Sequence, residues 1–342
     1  MVRMCPGATL PQGIAGKFYL LRATGNEAHD LYDVTDPANP TLLVRVVGNL
    51  LGTHKNWWEC DTGIAYLVSG IPGWRTNRAM QVFDLSNPAN PVFIRNFGLP
   101  GQEPGATGPV EISLHGPISL NGRIYMGYGT NRNGILQILD RAELLAGDPN
   151  SPERFAPTPE NFLFPQISRY DIGPLNGAHT TFPILGVPVP AFQKFTEGKV
   201  RDMVALTNES IGNECREPPQ MMYMVDVTTP TEPFGVSNYQ VYSKSGGSLD
   251  FCDRGGRFGT HSSNENMTPI YYRKIVFLAY FNAGIRAVDI RDPWAPKEVA
   301  YYIPAITDTT DQRCVTINGV ETCKIAIQTN NLEVDDRDIS TR

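Results

Sequence analysis

Five histidines occur in 342 residues, and four of them share one local setting. They are His54 in Leu51-Gly52-Thr53-His54-Lys55, His115 in Ile112-Ser113-Leu114-His115-Gly116, His179 in Asn176-Gly177-Ala178-His179-Thr180, and His261 in Phe258-Gly259-Thr260-His261-Ser262. Each opens a segment that runs to a strand-ending aspartate, at Asp84, Asp140, Asp226 and Asp289, and the distances are 30, 25, 47 and 28 residues. Once an insertion before Asp226 is discounted, the four occupy one position of a repeat. Neutral imidazole nitrogen is a ligand for Fe, Cu, Zn, Ni and Mn, whereas carboxylate-rich sites select Mg or Ca. Four imidazoles meeting at one point predict a single transition metal, Fe(II) in first place with Cu or Zn as alternatives. Such a centre keeps one or two positions open for water, O₂ or a small-molecule substrate. Each ring also needs a hydrogen-bond partner that fixes its tautomer. Glu59, Glu111, Glu209 and Glu265 lie near the histidines, and Glu265, four residues past His261, leads with Glu209 as the acid or base beside the metal. The fifth, His29, lies four residues before Asp33, on a different strand, and reads as structural.

The elements that must position these side chains show themselves as a repeat. Leu31-Tyr32-Asp33, Val82-Phe83-Asp84, Ile138-Leu139-Asp140, Met224-Val225-Asp226 and Ala287-Val288-Asp289 each end a hydrophobic strand in aspartate, with spacings of 51, 56, 86 and 63 residues. That is the length of four short strands plus insertions, the blade of a β-propeller. In four copies a proline pair follows, as in Asp36-Pro37-Ala38-Asn39-Pro40 and Asn87-Pro88-Ala89-Asn90-Pro91. Asp or Asn before proline starts a turn by bonding its own backbone. The second proline carries the chain into an outer strand, where a missing N–H is tolerated. Asp140 lacks the proline, and Arg141-Ala142-Glu143-Leu144-Leu145 reads as the chain's one turn of helix. Insertions are expected at about 147–165 and 183–199. Trp57 and Trp58 read as propeller core. The fold expected is all-β, one propeller over 1–342 built of four-stranded antiparallel blades, with five repeat anchors.

Composition narrows the function classes. Hydrophobic residues make up 41% of the chain, which excludes a disordered protein. The net charge of −6, with no clustered run of Lys and Arg, argues against a nucleic-acid partner. No stretch of 18 apolar residues is free of charges and helix breakers, so no membrane span is expected. Nucleotide and serine-hydrolase motifs are absent. Cys314 and Cys323 flank an alternating segment that folds back at Asn318-Gly319, a hairpin that brings them face to face. Cys215 and Cys252 sit in polar, Gly-rich loops suited to a second bridge, leaving Cys5 and Cys60 as the remaining pair. Disulfides point to an exported protein, periplasmic or extracellular. Met1-Val2-Arg3-Met4-Cys5-Pro6-Gly7 lacks the apolar core of a signal peptide, so an export signal would lie outside this sequence.

The Asp-x-x-x-Pro-x-x-Pro repeats resemble the LVIVD-repeat β-propeller proteins of bacteria. So do the stretch from Asp250 to Pro304 (Asp250-Phe251-Cys252, Phe258-Gly259-Thr260-His261, Asn282-Ala283-Gly284-Ile285-Arg286-Ala287-Val288-Asp289) and the run Asn330-Asn331-Leu332-Glu333-Val334-Asp335-Asp336. The resemblance covers most of the chain and is specific from Asp226 onward. It implies a propeller, usually seven-bladed and often exported, with histidines at 54, 115, 179 and 261; it implies no reaction. Members carry about two more blades of chain than this one, and here Lys17-Phe18-Tyr19-Leu20-Leu21 reads as starting in mid-blade. Either Lys324-Ile325-Ala326-Ile327-Gln328 joins the N-terminal strands to close a five-bladed ring, or the chain belongs to a longer protein. By analogy, a four-His iron centre resembles that of carotenoid-cleaving oxygenases, and a copper one the selenium-binding-protein and methanethiol-oxidase propellers. The leading expectation is a mononuclear metalloenzyme of the oxygenase or oxidoreductase type. The alternative is a non-catalytic secreted or cell-surface interaction propeller, with a structural metal or none. Substrate and oligomeric state stay open.

Overall fold

The computed structural model describes residues 2–130, 133–173, 175–189, 200–242, 244–245 and 249–334. Five four-stranded sheets, here numbered blades 1 to 5, follow one another along the chain, each with its strands paired in sequence order. Blade 1 comprises Val2–Pro6, Phe18–Thr24, Ala28–Asp33 and Thr41–Val47, and blade 2 comprises Thr53–Trp58, Ile64–Ser69, Ala79–Asp84 and Val92–Phe97. Blade 3 comprises Leu114–Leu120, Arg123–Tyr128, Ile135–Asp140 and Gln166–Asp171. Blade 4 comprises Thr180–Pro188, Val200–Thr207, Met222–Asp226 and Phe234–Tyr239, and blade 5 Ser262–Ser263, Ile275–Ala279, Ile285–Asp289 and Lys297–Tyr302. The chain divides into two compact units, residues 1–128 with 137–167 and residues 129–136 with 168–342.

The sequence pattern explains the layering within a blade. Second and third strands are near-continuous apolar runs, and in blade 2 Ile64–Ser69 is buried at every position. Fourth strands are exposed, as in Lys297–Tyr302. Each of Pro40, Pro91, Pro233 and Pro296 immediately precedes such a strand, where an absent N–H breaks no inner ladder. The repeat aspartate ends the third strand in all five blades. In four of them its carboxylate accepts from the backbone N–H two residues on: Thr35 at 2.9 Å, Ser86 at 2.7 Å, Thr228 at 2.9 Å and Arg291 at 3.0 Å. Asp140, without the proline pair, instead caps a helix, accepting from Glu143 N–H at 2.9 Å.

Several expectations change on contact with the structure. The first blade does not start in mid-blade, because Val2–Pro6 pairs with Phe18–Thr24 and supplies its first strand. Lys324 and Ile325 do not join N-terminal strands; they belong to a hairpin, Gln312–Ile317 with Val320–Ile325. The expected insertion at 147–165 lies between the third and fourth strands of blade 3. It follows the short helix Arg141–Ala146 and contains a second one, Pro159–Leu163, which periodicity missed. The missed signal was Thr158-Pro159-Glu160, a capping threonine with proline at the first helical position. The expected insertion 183–199 begins inside a strand, since Pro183 to Pro188 continue the first strand of blade 4, and 190–199 lie outside the described residues.

Three disulfides form: Cys5–Cys60, Cys215–Cys252 and Cys314–Cys323. At the tip of the last hairpin Asn318 and Gly319 have φ of 51° and 80°, the two left-handed positions that an Asn-Gly turn supplies at little cost.

Candidate metal centre

The four histidines stand at the start of the first strands of blades 2 to 5, and local backbone features aim them. In blade 2 the ladder pairs Thr53 with Ser69 and resumes at Asn56 with Leu67, so His54 and Lys55 form a bulge. In blade 3 Leu114 pairs with Tyr128 and Gly116 with Gly127, which leaves His115 as the extra residue. Bulges re-aim a side chain away from the regular alternation of a strand. His179 and His261 lie one residue before their strands, with backbone N–H groups bonded to Thr207 O at 2.8 Å and Ala279 O at 2.9 Å. Sequence spacing locates the register; the bulges carry no turn-residue signal and emerge only from the pairing.

In the first unit, His54 and His115 meet edge to face, with ring centroids 4.5 Å apart and their Nε2 atoms 2.6 Å apart. Two lone pairs repel at that distance, so one ring donates its Nε2–H to the Nε2 lone pair of the other. Buried Lys55 packs against Gly116: a Cβ there would lie 2.0 Å from its Cδ, so a larger residue after His115 would displace the Lys55 side chain.

In the second unit, His179, Glu209 and His261 bring their ligand atoms within 4.8 Å of one another. Glu209 lies just past the second strand of blade 4, and it is the carboxylate that joins the histidines. Glu265 is buried, but its carboxylate is not among the gathered ligand atoms of the described residues. His261 Nδ1 bonds the Asn330 carbonyl oxygen. A carbonyl only accepts, so Nδ1 carries the proton and neutral His261 presents a lone pair at Nε2. His179 Nδ1 stands 3.0 Å from the Thr180 hydroxyl. The two Nε2 atoms then face Glu209, His261 at 3.7 Å from Oε1 and His179 at 3.9 Å from Oε2. These separations exceed hydrogen-bond length. They match donors sharing one ion, because two ligands each about 2.0–2.2 Å from a metal lie no more than about 4.4 Å apart. Arg257 donates from Nη1 to Glu209 Oε1 at 3.2 Å, and the Phe281 ring packs 5.0 Å from the His261 ring.

The remaining candidates have other duties. Glu59 is engaged elsewhere: Arg141 Nε and Nη2, Tyr66, Ser119 and Thr62 all donate to its carboxylate. Burial alone would raise this carboxyl, but the Arg141 bond and the Ser119 and Thr62 hydroxyls outweigh it and hold Glu59 below the usual range. Glu111, ahead of the first strand of blade 3, does not enter the gathered ligand groups of the described residues. His29 lies in the third strand of blade 1, fully buried, with Nε2 3.1 Å from Ser69 Oγ. Trp58 belongs to the apolar core with Leu21, Leu31, Leu67 and Phe83, whereas Trp57 is half-buried beneath the Arg3 guanidinium.

The fold and the histidine groups together define a β-propeller whose blades 2 to 5 carry a histidine at the start of the first strand, two of them gathered with Glu209. Among solved structures, the chain is similar to a structural-genomics protein from Lactobacillus plantarum, at 7% identity over 93% of this chain and 83% of that one, with a TM-score of 0.53. It is also similar to the periplasmic gluconolactonase of Pseudomonas aeruginosa, at 9% identity over 86% of this chain and 71% of that one, with a TM-score of 0.50. At such identities the likeness establishes the propeller fold and nothing of the reaction. No family model matches the chain, and no curated protein does.

Proposed function

We propose that this protein is an exported, metal-dependent β-propeller enzyme of the oxidoreductase type, akin to the LVIVD-repeat proteins, acting on a small molecule with O₂ as the candidate co-substrate. His54, His115, His179 and His261 are the ligands of one transition metal, Fe(II) ahead of Cu or Zn. The observation that carries the reading is the second unit's group: two imidazole Nε2 atoms, one with its tautomer set by the Asn330 carbonyl, facing the Glu209 carboxylate at 3.7 and 3.9 Å. The extension to all four histidines rests on their common place in the repeat. Three disulfides support export.

When bound, an imidazole-held transition metal supplies Lewis-acid polarisation or redox chemistry toward O₂. The protein's own part is to orient and to move protons. The Asn330 carbonyl and Thr180 hydroxyl hold the two rings, and Glu209 would take and return a substrate proton through a carboxylate oxygen that the metal leaves free. Glu265, buried and four residues past His261, is the second such carboxylate in the proposal.

Elemental analysis of the isolated protein tests this. One transition metal per chain is expected, lost in His179→Ala and equally in His54→Ala, with O₂ consumption following the metal. Full occupancy in His179→Ala would overturn the site. Two ions per chain, or metal retained in His54→Ala, would overturn the single four-His centre. A native protein that takes up no metal and consumes no O₂ would leave the interaction propeller as the function.

A further inference from the structure

Arg257 precedes the Phe258-Gly259-Thr260-His261 run and is half-exposed, with 34% of its side chain open to solvent. Two arginine–carboxylate pairs close edge on edge: Arg141 places Nε and Nη2 on Glu59, and Arg291 places Nε and Nη2 on Asp289. Arg257, like Arg286 on Glu298, uses a single terminal nitrogen. Only Nη1 is engaged, on Glu209 Oε1 at 3.2 Å and on the Ser210 carbonyl at 3.3 Å. One face of the guanidinium lies over the Phe281 ring, with Cζ 5.2 Å from the centroid. Among the described residues its Nε and Nη2 donate no hydrogen bond. The guanidinium is therefore anchored at one corner and one face while its two-donor edge is presented to solvent. Through Nη1 the guanidinium shares Glu209 with the His179 and His261 nitrogens.

We propose that Arg257 is the specificity-determining residue of the site and binds a carboxylate of the substrate on its Nε/Nη2 edge. The inference rests on the metal-centre reading and narrows its substrate to small organic acids. A planar carboxylate matches the two parallel N–H donors of a guanidinium edge, which a lysine ammonium cannot reproduce. Glu209 already balances much of the Arg257 charge, so a singly charged carboxylate is favoured over a phosphate dianion, which would meet repulsion from Glu209. The Phe281 face and the Ser210 carbonyl hold the guanidinium in place, so little is lost in ordering it when an acid binds.

The test is ligand-observed NMR on the full chain, with acetate, succinate and benzoate as probes at millimolar concentration. Matched amides and phenyl phosphate serve as comparison, and metal content is measured on the same samples. Expected are binding of at least one acid without its amide, at least about tenfold weaker binding in Arg257→Gln with metal content unchanged, and partial recovery in Arg257→Lys. Failure of all three acids to bind, equal binding of acid and amide, tighter binding of phenyl phosphate than benzoate, or undiminished binding in Arg257→Gln would each overturn the proposal. Loss of the metal together with acid binding in Arg257→Gln would also overturn it, by making Arg257 a structural support of Glu209. Native protein that binds benzoate through Arg257 but holds no metal would sustain this inference while the metal reading falls, so the two failures are distinguishable.

Discussion

A histidine's tautomer depends on what its other nitrogen touches, and that separates the five here. His261 is committed by the Asn330 carbonyl to offering Nε2 as a lone pair. His29, fully buried in blade 1, is instead kept neutral: burial pushes its pKa down to about 4. The consequence for stability has a definite sign. Between the unfolded value near 6.5 and the native value near 4, the unfolded chain takes up a proton that the native protein refuses, so stability falls as pH drops through that window. The contribution is complete above pH about 6.5, and up to roughly 3 kcal/mol is lost by pH about 4. Urea midpoints measured from pH 7 down to pH 4 should fall accordingly. In His29→Gln, which keeps a polar end toward Ser69, that part of the slope should disappear; an unchanged slope would assign it to other groups.

At the scale of elements, the blades are repeated solutions to one problem, leaving a buried third strand for an exposed fourth. The repeat aspartate and the proline pair solve it in four blades, and their chemistry is local enough to be legible as Asp-turn-Pro in the sequence. Blade 3 solves it with a helical insertion, which must be tied down from elsewhere. Arg95, buried on the fourth strand of blade 2, does so by donating to the Leu144 carbonyl and the Asn161 carbonyl, each at 3.1 Å. Nothing near Arg95 in sequence announces this, since its partners lie 49 and 66 residues on. Arg95→Met should leave both carbonyls unpaired and cost about 2–3 kcal/mol. Limited proteolysis should show faster cleavage within 147–158, the stretch between the two helices. Unaltered cleavage there would show that Arg95 does not hold the insertion.

For the whole molecule, the disulfides add resistance to unfolding. Closed loops of 55, 37 and 9 residues correspond to roughly 4, slightly under 4 and about 2.5 kcal/mol of restricted unfolded-chain entropy. Accessibility runs the other way: Cys5 is fully buried, while Cys314 and Cys323 are exposed on the hairpin. Graded reduction should therefore open Cys314–Cys323 first with a small drop in Tm, and Cys5–Cys60 last with the largest. Alkylation mapped by mass spectrometry at each step checks the order, and early loss of Cys5–Cys60 would contradict it.

The features legible in the chain are those that neighbouring residues encode. The blade repeat, the turn aspartates, the strand-edge prolines, the Asn318-Gly319 hairpin with its cysteine pair and the shared setting of four histidines all follow from periodicity and turn chemistry over a few positions. Tertiary structure alone decided the partners of those histidines. Glu209 rather than Glu265 faces His179 and His261, because it follows the second strand of blade 4 while Glu265 follows the brief first strand of blade 5. The carbonyl that sets His261 comes from Asn330, 69 residues away, and the Glu209 oxygen bound by Arg257 from 48 residues away. Hydrogen bonds of that span depend on how strands pair and loops return, and a linear pattern of residue types carries no record of either.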